Sequence, residues 1–210
     1  EPPLAGATQL ARMARHILRN VCQGLAYIHA LGIIHRDLKP ANILRSMDGV
    51  FQLADFGLAR YGDEVPEGSA AEANPHRSRS IQTLWYRCPE ILFGASEYTQ
   101  TVDMWSVGCI AYEIVNRQPW LAGMRDHDQR LLILNTFGSP PPGSTIRTLP
   151  LFAKFASHKV PRPTPLFATR LLAEDHTAFL ALVAALTAYN PGTRLTAADA
   201  LLTPFLSVWG

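Results

Sequence analysis

The densest group of chemically active side chains lies in residues 35–42, which read His-Arg-Asp-Leu-Lys-Pro-Ala-Asn. The carboxylate of Asp37 can take a proton from a hydroxyl group, and the ammonium of Lys39 can neutralise negative charge beside it. Asn42, together with Asp55 further along, supplies oxygen atoms of the kind that Mg²⁺ prefers. This set suits phosphoryl transfer, which depends on positioning and charge neutralisation more than on covalent catalysis.

A long helix precedes these residues and would deliver the chain to them. Apolar side chains recur at helical spacing from Leu10 to Ile28, which predicts a helix with one buried face. Thr8 can cap its start and Gly32 can end it, after a Pro/Gly-rich lead-in at residues 1–7.

A short hairpin would place the two candidate magnesium ligands. Residues 43–45 and 51–54 read as two strands, with a turn at 47–49 between them. The hairpin would hold Asn42 at one base and Asp55 at the other, so that both could reach one metal ion.

The rest of the chain divides into a long loop, an irregular segment and several helices. Residues 61–82 lack apolar periodicity and are acidic first and basic later, which predicts a long mobile loop. Residues 139–165 are rich in proline and should lack regular helix. The remaining helices are predicted at residues 103–115, at 126–137 (closed by Gly138), at 173–189, and lastly from the capping-box pattern at 196–199.

Composition limits the classes of function. The 210 residues are 48% hydrophobic and 17% charged, which is enough to bury a core. A net charge of +2 is too small to favour nucleic acid or a membrane surface as a partner. The three cysteines lack C-x-x-C spacing, which indicates free thiols in a reducing, intracellular compartment, cytoplasmic and/or nuclear. The absence of an initiating Met suggests a fragment.

Three motifs resemble those of a known family. The sequence H-R-D-L-K-P-A-N, followed by D-F-G at residues 55–57, resembles the catalytic loop and magnesium motif of eukaryotic protein kinases. Residues 83–90, T-L-W-Y-R-C-P-E, resemble the T-x-W-Y-R-A-P-E signature of the CMGC group, with Cys88 in place of Ala. Within that group the chain looks most like the cyclin-dependent kinases.

The resemblance covers essentially the whole chain and implies a protein kinase-like (α+β) fold, present as its C-terminal lobe only: mainly α-helical with a short β-hairpin. It implies an activation segment at residues 55–90 and a CMGC-type insert at about residues 139–170. The N-lobe motifs, a G-x-G-x-x-G loop and a strand lysine, do not occur in the sequence. We therefore expect the N-lobe to be absent.

The resemblance also implies roles for individual residues. Asp37 would accept the proton of the target hydroxyl, and Lys39 would neutralise the transferred phosphoryl group. The residues expected to bind ATP are Lys39, Asn42, Leu44 and Asp55, and those expected to hold Mg²⁺ are Asn42 and Asp55. From spacing alone, Leu44 could equally be a core residue. Phosphorylation is expected at Ser78 and Ser80, with Arg36 and Arg60 as the clamp for the phosphate. Thr83 and Arg87 would form a substrate pocket. Structural support would come from His35 stacked on Phe56 inside the lobe, from Asp103 bound to the catalytic-loop backbone, and from the buried pair Glu90–Arg194.

The function implied is a serine/threonine protein kinase that uses ATP and Mg²⁺. It would prefer target residues followed by proline, and a cyclin-like protein would activate it. Two alternatives remain open: a truncated, non-catalytic binding or regulatory module, and a MAP-kinase-like member of the group. Asn190 before Pro191 favours the MAP kinases, whereas the lack of T-x-Y in residues 61–82 opposes them. Without an N-lobe, the 210-residue chain alone should be inactive or weak.

Overall fold

The structure, a computed structural model, describes residues 3–62, 82–158 and 170–208. The α-helices are α1 (Pro3–Ala30), α2 (Pro89–Leu92), α3 (Thr101–Asn116), α4 (Asp126–Phe137), α5 (Ala173–Leu186), α6 (Ala197–Leu201) and α7 (Pro204–Ser207). The strands are β1 (Ile33–Ile34), β2 (Ile43–Arg45), β3 (Phe51–Leu53) and β4 (Arg60–Tyr61). Among the described residues, no helix combines the length and the apolar character that crossing a membrane requires.

Helix α1 is the longest element and carries the predicted buried face. The apolar side chains of that face, with Leu18 and Leu25 fully buried among them, pack against α3, α6, α7 and β3. The predicted lead-in is wrong, because the helix begins at Pro3 rather than near Thr8. Proline is tolerated in the first turn, where the missing N–H would have no partner. At the other end, Gly32 adopts a φ of 75° and stops the helix, as predicted.

Helix α3 forms the centre of the core. It is apolar on nearly every side, and such a helix must be enclosed by other elements. Trp105, in its first half, is fully buried, and both α1 and α5 pack against the helix. The prediction of this helix is confirmed, with slightly longer bounds.

The predicted hairpin is present. Strands β2 and β3 pair antiparallel, with Leu44 opposite Gln52, and Gly49 takes a φ of 90° in the connecting turn. The second strand ends one residue earlier than predicted, although the N–H of Ala54 still donates to the carbonyl of Asn42 at 2.9 Å. Strands β1 and β4 form a second antiparallel pair at the foot of the catalytic loop.

The other predicted elements are close to the observed ones. Helix α4 has the predicted bounds, whereas α5 ends at Leu186 instead of at Tyr189. The side chain of Tyr189 turns away and donates to the carbonyl of Gly138 at 2.7 Å. The cap at Thr196 forms, but α6 is not the last helix, because α7 follows it. The segment predicted to lack regular helix, residues 139–165, is described as far as residue 158, and that part contains only short 3-10 turns.

Candidate active site

The loop that carries the candidate catalytic residues is bound to the core by Asp103, in the first turn of α3. Asp103 is 0% exposed, and its carboxylate accepts the backbone N–H groups of His35 and Arg36, both at 2.9 Å. His29, on α1, donates to the same carboxylate at 2.9 Å. Arg36 has a φ of 67°, a left-handed conformation that costs energy for a residue other than glycine. Asp103 therefore holds the loop in a strained shape, in the place where the sequence predicts it.

The structure brings together Asp37, Lys39, Asn42 and Thr83. One carboxylate oxygen of Asp37 accepts from the ammonium of Lys39 at 2.6 Å, and the other accepts from the backbone N–H and the hydroxyl of Thr83 at 3.0 and 2.9 Å. Lys39 also donates to the Thr83 hydroxyl at 3.2 Å. A negative charge and a positive charge thus lie side by side at the edge of the core.

These contacts set the charge state of Asp37. Burial raises the pKa of its carboxyl group, but the hydrogen bonds from Lys39 and Thr83 and the charge of Lys39 outweigh burial and bring the pKa below its ordinary value. Asp37 is therefore ionised at neutral pH. Its contribution to stability is present above the ordinary carboxylate range and is lost as the pH falls through the lowered pKa.

Asn42 and Asp55 fit a magnesium site. The amide nitrogen of Asn42 donates to the carbonyl of Asp37 at 2.8 Å, which leaves the amide oxygen for a ligand. Asp55 is exposed, and one of its oxygens accepts from the N–H of Gly57 at 3.3 Å. The bond from Ala54 to Asn42 keeps the two residues at the same end of the hairpin. Both offer hard oxygen donors, the chemistry that Mg²⁺ selects.

Two polar residues of α1 anchor this hairpin, and sequence reasoning missed them. The ring of His16 donates to the carbonyl of Gly49 at 2.9 Å, and the side-chain oxygen of Asn20 accepts the N–H of Phe51 at 2.9 Å. His16 and Asn20 are four residues apart and so lie on one face of the helix. That spacing is the only signal in the sequence, and it resembles an ordinary solvated face.

The ring contact between His35 and Phe56 is present, but the rings are tilted by 55° and not stacked, and the expected burial is wrong for one partner. The ring centroids are 4.9 Å apart, and His35 is fully buried with its Nε2 on the carbonyl of Ala54 at 3.0 Å. Phe56, however, is 45% exposed. The ring lies on the outer side of the histidine, because the 3-10 turn Phe56–Leu58 runs along the surface.

Leu44 is exposed, whereas the two clamp arginines are half-buried. Leu44 is 56% exposed, so the alternative that it is a core residue is wrong. Arg36 and Arg60 line one groove together with Phe56, and Arg36 also donates to the Tyr98 hydroxyl at 2.7 Å. Ser78 and Ser80, the expected phosphorylation sites, lie outside the described residues.

Residues 82–88 form a tightly bonded segment beside Asp37. Arg87 donates to the carbonyl of Gln82 at 2.9 Å and to the carboxylate of Asp126 at 3.1 Å. Gln82 has a φ of 62° and is 2% exposed. Sequence reasoning missed Gln82, which precedes the recognisable motif by one residue and carries no signal of its own.

Glu90 and Arg194 form the expected buried pair. The guanidinium of Arg194 donates to both carboxylate oxygens of Glu90, at 2.7 and 3.0 Å. Arg194 also donates to the carbonyls of Ala188 and Thr101, and its guanidinium lies 5.4 Å from the centre of the Trp105 ring. Both charges are therefore compensated, as buried charges must be.

Comparison with known proteins supports the same assignment. The protein kinase domain family matches residues 7–206. The chain is 42% identical to cyclin-dependent kinase 7 of Xenopus laevis over 88% of its length, and 38% identical to human cyclin-dependent kinase 20 over 93%. It spans 49% and 58% of the lengths of these relatives.

A solved structure is similar as well. A crystal structure of the yeast RNA Pol II CTD kinase CTDK-1 complex matches 95% of this chain and 64% of its own chain, with a TM-score of 0.76 and 27% sequence identity. The fold, the motifs and these relatives agree. The chain belongs to the protein kinase domain family and is a cyclin-dependent-kinase-like member of the CMGC group.

Proposed function

We propose that this protein transfers the γ-phosphoryl group of ATP to serine or threonine residues of protein substrates. The observation that carries the proposal is the ionised Asp37, held between the Lys39 ammonium and the hydroxyl of Thr83. A carboxylate fixed in this way can orient a substrate hydroxyl, while the adjacent ammonium neutralises the group being transferred. Because the pKa of Asp37 is lowered, it is a weak base, so it takes the proton late, after the hydroxyl oxygen has begun to bond to phosphorus.

Asn42 and Asp55 are the residues that would hold Mg²⁺. When bound, the ion neutralises charge on the phosphates of ATP. Leu44, exposed beside Asn42 on the hairpin, offers an apolar surface for the adenine ring. Binding energy from these groups would serve to position the γ-phosphate next to Asp37.

A preference for proline after the target residue follows from the carbonyl of Gln82. That oxygen accepts a hydrogen bond from Arg87, so the carbonyl is directed at the guanidinium and does not face the N–H of the next substrate residue. Most residues would bring an N–H that lacks a partner there, and leaving it unpaired is costly. Proline has no N–H to satisfy. We call residues 82–88, which contain both Gln82 and Arg87, the substrate platform.

A cyclin-like protein is the partner we propose, because the names of two relatives state dependence on a cyclin. We assign residues 55–90 to the activation segment, residues 139–170 to the CMGC-type insert, and the chain as a whole to the C-lobe. A phosphate on Ser78 or Ser80 would be clamped by Arg36 and Arg60, because guanidinium groups bind phosphate oxygens in pairs.

The test is a phosphorylation assay on the native protein, immunoprecipitated and sequenced by mass spectrometry through its N-terminus. We expect Mg²⁺-dependent phosphorylation of a Ser-Pro peptide, weak phosphorylation of the matched Ser-Ala peptide, and loss of both with Asp37→Asn. We expect little activity from the 210-residue chain alone. An inactive native protein that still binds partner proteins would favour the alternative, a non-catalytic module.

A further inference from the structure

The backbone conformation of Gln82 and its burial are both unfavourable for a glutamine. It adopts a left-handed backbone conformation, with φ of 62°, and it is 2% exposed. A strained, buried polar residue persists only when its surroundings fix it strongly. The side-chain contacts of Gln82 show what fixes it.

Every polar group of the Gln82 amide has a partner. Its nitrogen donates to the carbonyl of Val102 at 3.0 Å and to the hydroxyl of Ser106 at 2.9 Å, both on α3. Its oxygen accepts the backbone N–H of Cys88 at 3.1 Å. Because the carbonyl can only accept and the N–H can only donate, the amide fits in one orientation alone.

The contact with Ser106 continues into the platform. The Ser106 hydroxyl donates to the carbonyl of Tyr86 at 2.9 Å. Gln82 therefore joins the first residue of the platform to its last, and through Ser106 to a residue between them. Gln82, Tyr86 and Cys88 are thus all linked by hydrogen bonds, directly or through one side chain, to α3.

We propose that the side chain of Gln82 is a positioning residue for the substrate peptide. It anchors the substrate platform to α3 and so keeps its own carbonyl on Arg87, where that carbonyl disfavours residues other than proline. The proposal rests on the proposed function and names the residue that maintains its specificity. The strain at φ 62° makes this anchor necessary, since a free segment would relax out of that conformation.

The experiment compares the native protein with its Gln82→Leu variant, which keeps a similar side-chain volume but loses the amide. With the Ser-Pro peptide, we expect KM to rise about tenfold while KM for Mg-ATP is unchanged. The preference for Ser-Pro over Ser-Ala should shrink. Hydrogen exchange at the Cys88 amide, which loses its acceptor, should become faster.

Tyr189→Phe is the matched control, because it removes another buried hydrogen bond, to Gly138, far from the platform. It should lower stability without changing either KM. Ser106→Ala is a second variant, which removes the hydroxyl that accepts from Gln82 and donates to Tyr86 but leaves Gln82 and its bond to Val102 intact. It should shift the peptide KM in the same direction by less, which keeps the proposal testable if Gln82→Leu does not fold.

The proposal is overturned if both platform variants match Tyr189→Phe in peptide KM, in Ser-Pro preference and in exchange at Cys88. If the parent phosphorylates no peptide, the proposed function fails and the claim on specificity fails with it. Exchange at Cys88 then still shows whether Gln82 anchors the segment, so the two failures are distinguishable.

Discussion

The position of the Asp37 carboxylate is fixed by two separate parts of the chain. Its two carboxylate oxygens are held by different parts of the chain, Lys39 two residues away and Thr83 forty-six residues away. The carboxylate cannot rotate without breaking bonds to one of them. The reactive geometry therefore depends on the substrate platform as well as on the catalytic loop.

Replacing Thr83 with valine should show whether catalysis depends on the position of the Asp37 carboxylate as well as on its charge. Thr83→Val keeps the volume and the backbone N–H, but it removes the hydroxyl that bonds Asp37 and Lys39. Because the carboxylate stays ionised but loses one of its fixed partners, we expect kcat to fall between about 10- and 100-fold with little change in KM for Mg-ATP. Steady-state kinetics on a Ser-Pro peptide would measure both constants.

Thr187→Val is the matched control for that variant. The Thr187 hydroxyl is also buried, but it bonds only to the carbonyl of Val183 within α5. Its loss should leave kcat unchanged. Equal losses of kcat in the two variants would mean that Thr83 acts through general stability, and the positional role would then be rejected.

Functional residues could be predicted from the sequence where they belong to recognisable motifs. Asp37 and Arg194 could be named because their chemistry is tied to recognisable spacing. Gln82 could not, because its importance comes from a backbone angle and from partners on α3 that no local pattern encodes. The exposure of Phe56 could not be predicted for a related reason. A motif indicates that the two rings meet, but how much of a ring faces solvent depends on the packing of the whole molecule.

Among the elements, the β2–β3 hairpin has the clearest mechanical role. Two strands of three residues are too short to be stable alone. The hairpin is held from outside, by the contacts of His16 and Asn20 on α1 with its turn and its second strand. The long helix thus fixes the position of the two candidate magnesium ligands.

Loss of the Asn20 contact should weaken magnesium binding. Asn20→Leu leaves the N–H of Phe51 without its acceptor, so the hairpin and its ligands Asn42 and Asp55 become less ordered. We expect the Mg²⁺ concentration for half-maximal activity to rise about tenfold, a size typical of lost outer-shell contacts. Asn20→Asp keeps an acceptor oxygen and should resemble the parent. A parent-like requirement for Mg²⁺ in the leucine variant would disprove the anchoring role.

Element types could be predicted better than element ends. The period of the apolar residues identifies α1, because it reflects a face that must be buried. The start of α1 at Pro3 was missed because proline and glycine were interpreted only as breakers, although proline suits a first turn. The end of α5 was placed too late because Tyr189 is apolar in pattern, yet its hydroxyl binds Gly138 in another part of the core.

For the whole molecule, the pair of Glu90 and Arg194 links the substrate side to the C-terminal helices. Removing one partner of such a pair leaves a buried charge uncompensated. We expect Arg194→Met to lower the free energy of unfolding by about 3–5 kcal/mol. Urea unfolding followed by circular dichroism would measure the difference.

The double variant Glu90→Leu/Arg194→Met is the control for that measurement. With both charges removed, much of the lost stability should return, because two apolar side chains no longer leave a charge in the core. A double variant no more stable than Arg194→Met would show that the arginine acts through its other contacts, on Ala188 and Trp105, and not through Glu90.

The distance in sequence between these two partners also has a consequence for how the protein is made. Glu90 and Arg194 are separated by 104 positions, so at translation speeds of about 5 to 20 residues per second the ribosome adds the arginine roughly 5 to 20 s after the glutamate. Throughout that interval Glu90 lacks the guanidinium that compensates its charge, so its carboxylate cannot be buried as it is in the folded core. Helix α1 waits longer still for α6 and α7, its packing partners, which begin at least 167 positions after its end. The growing polypeptide therefore cannot complete this core until α6 and α7 have left the ribosome, and chaperones that bind exposed apolar segments have that whole interval in which to act.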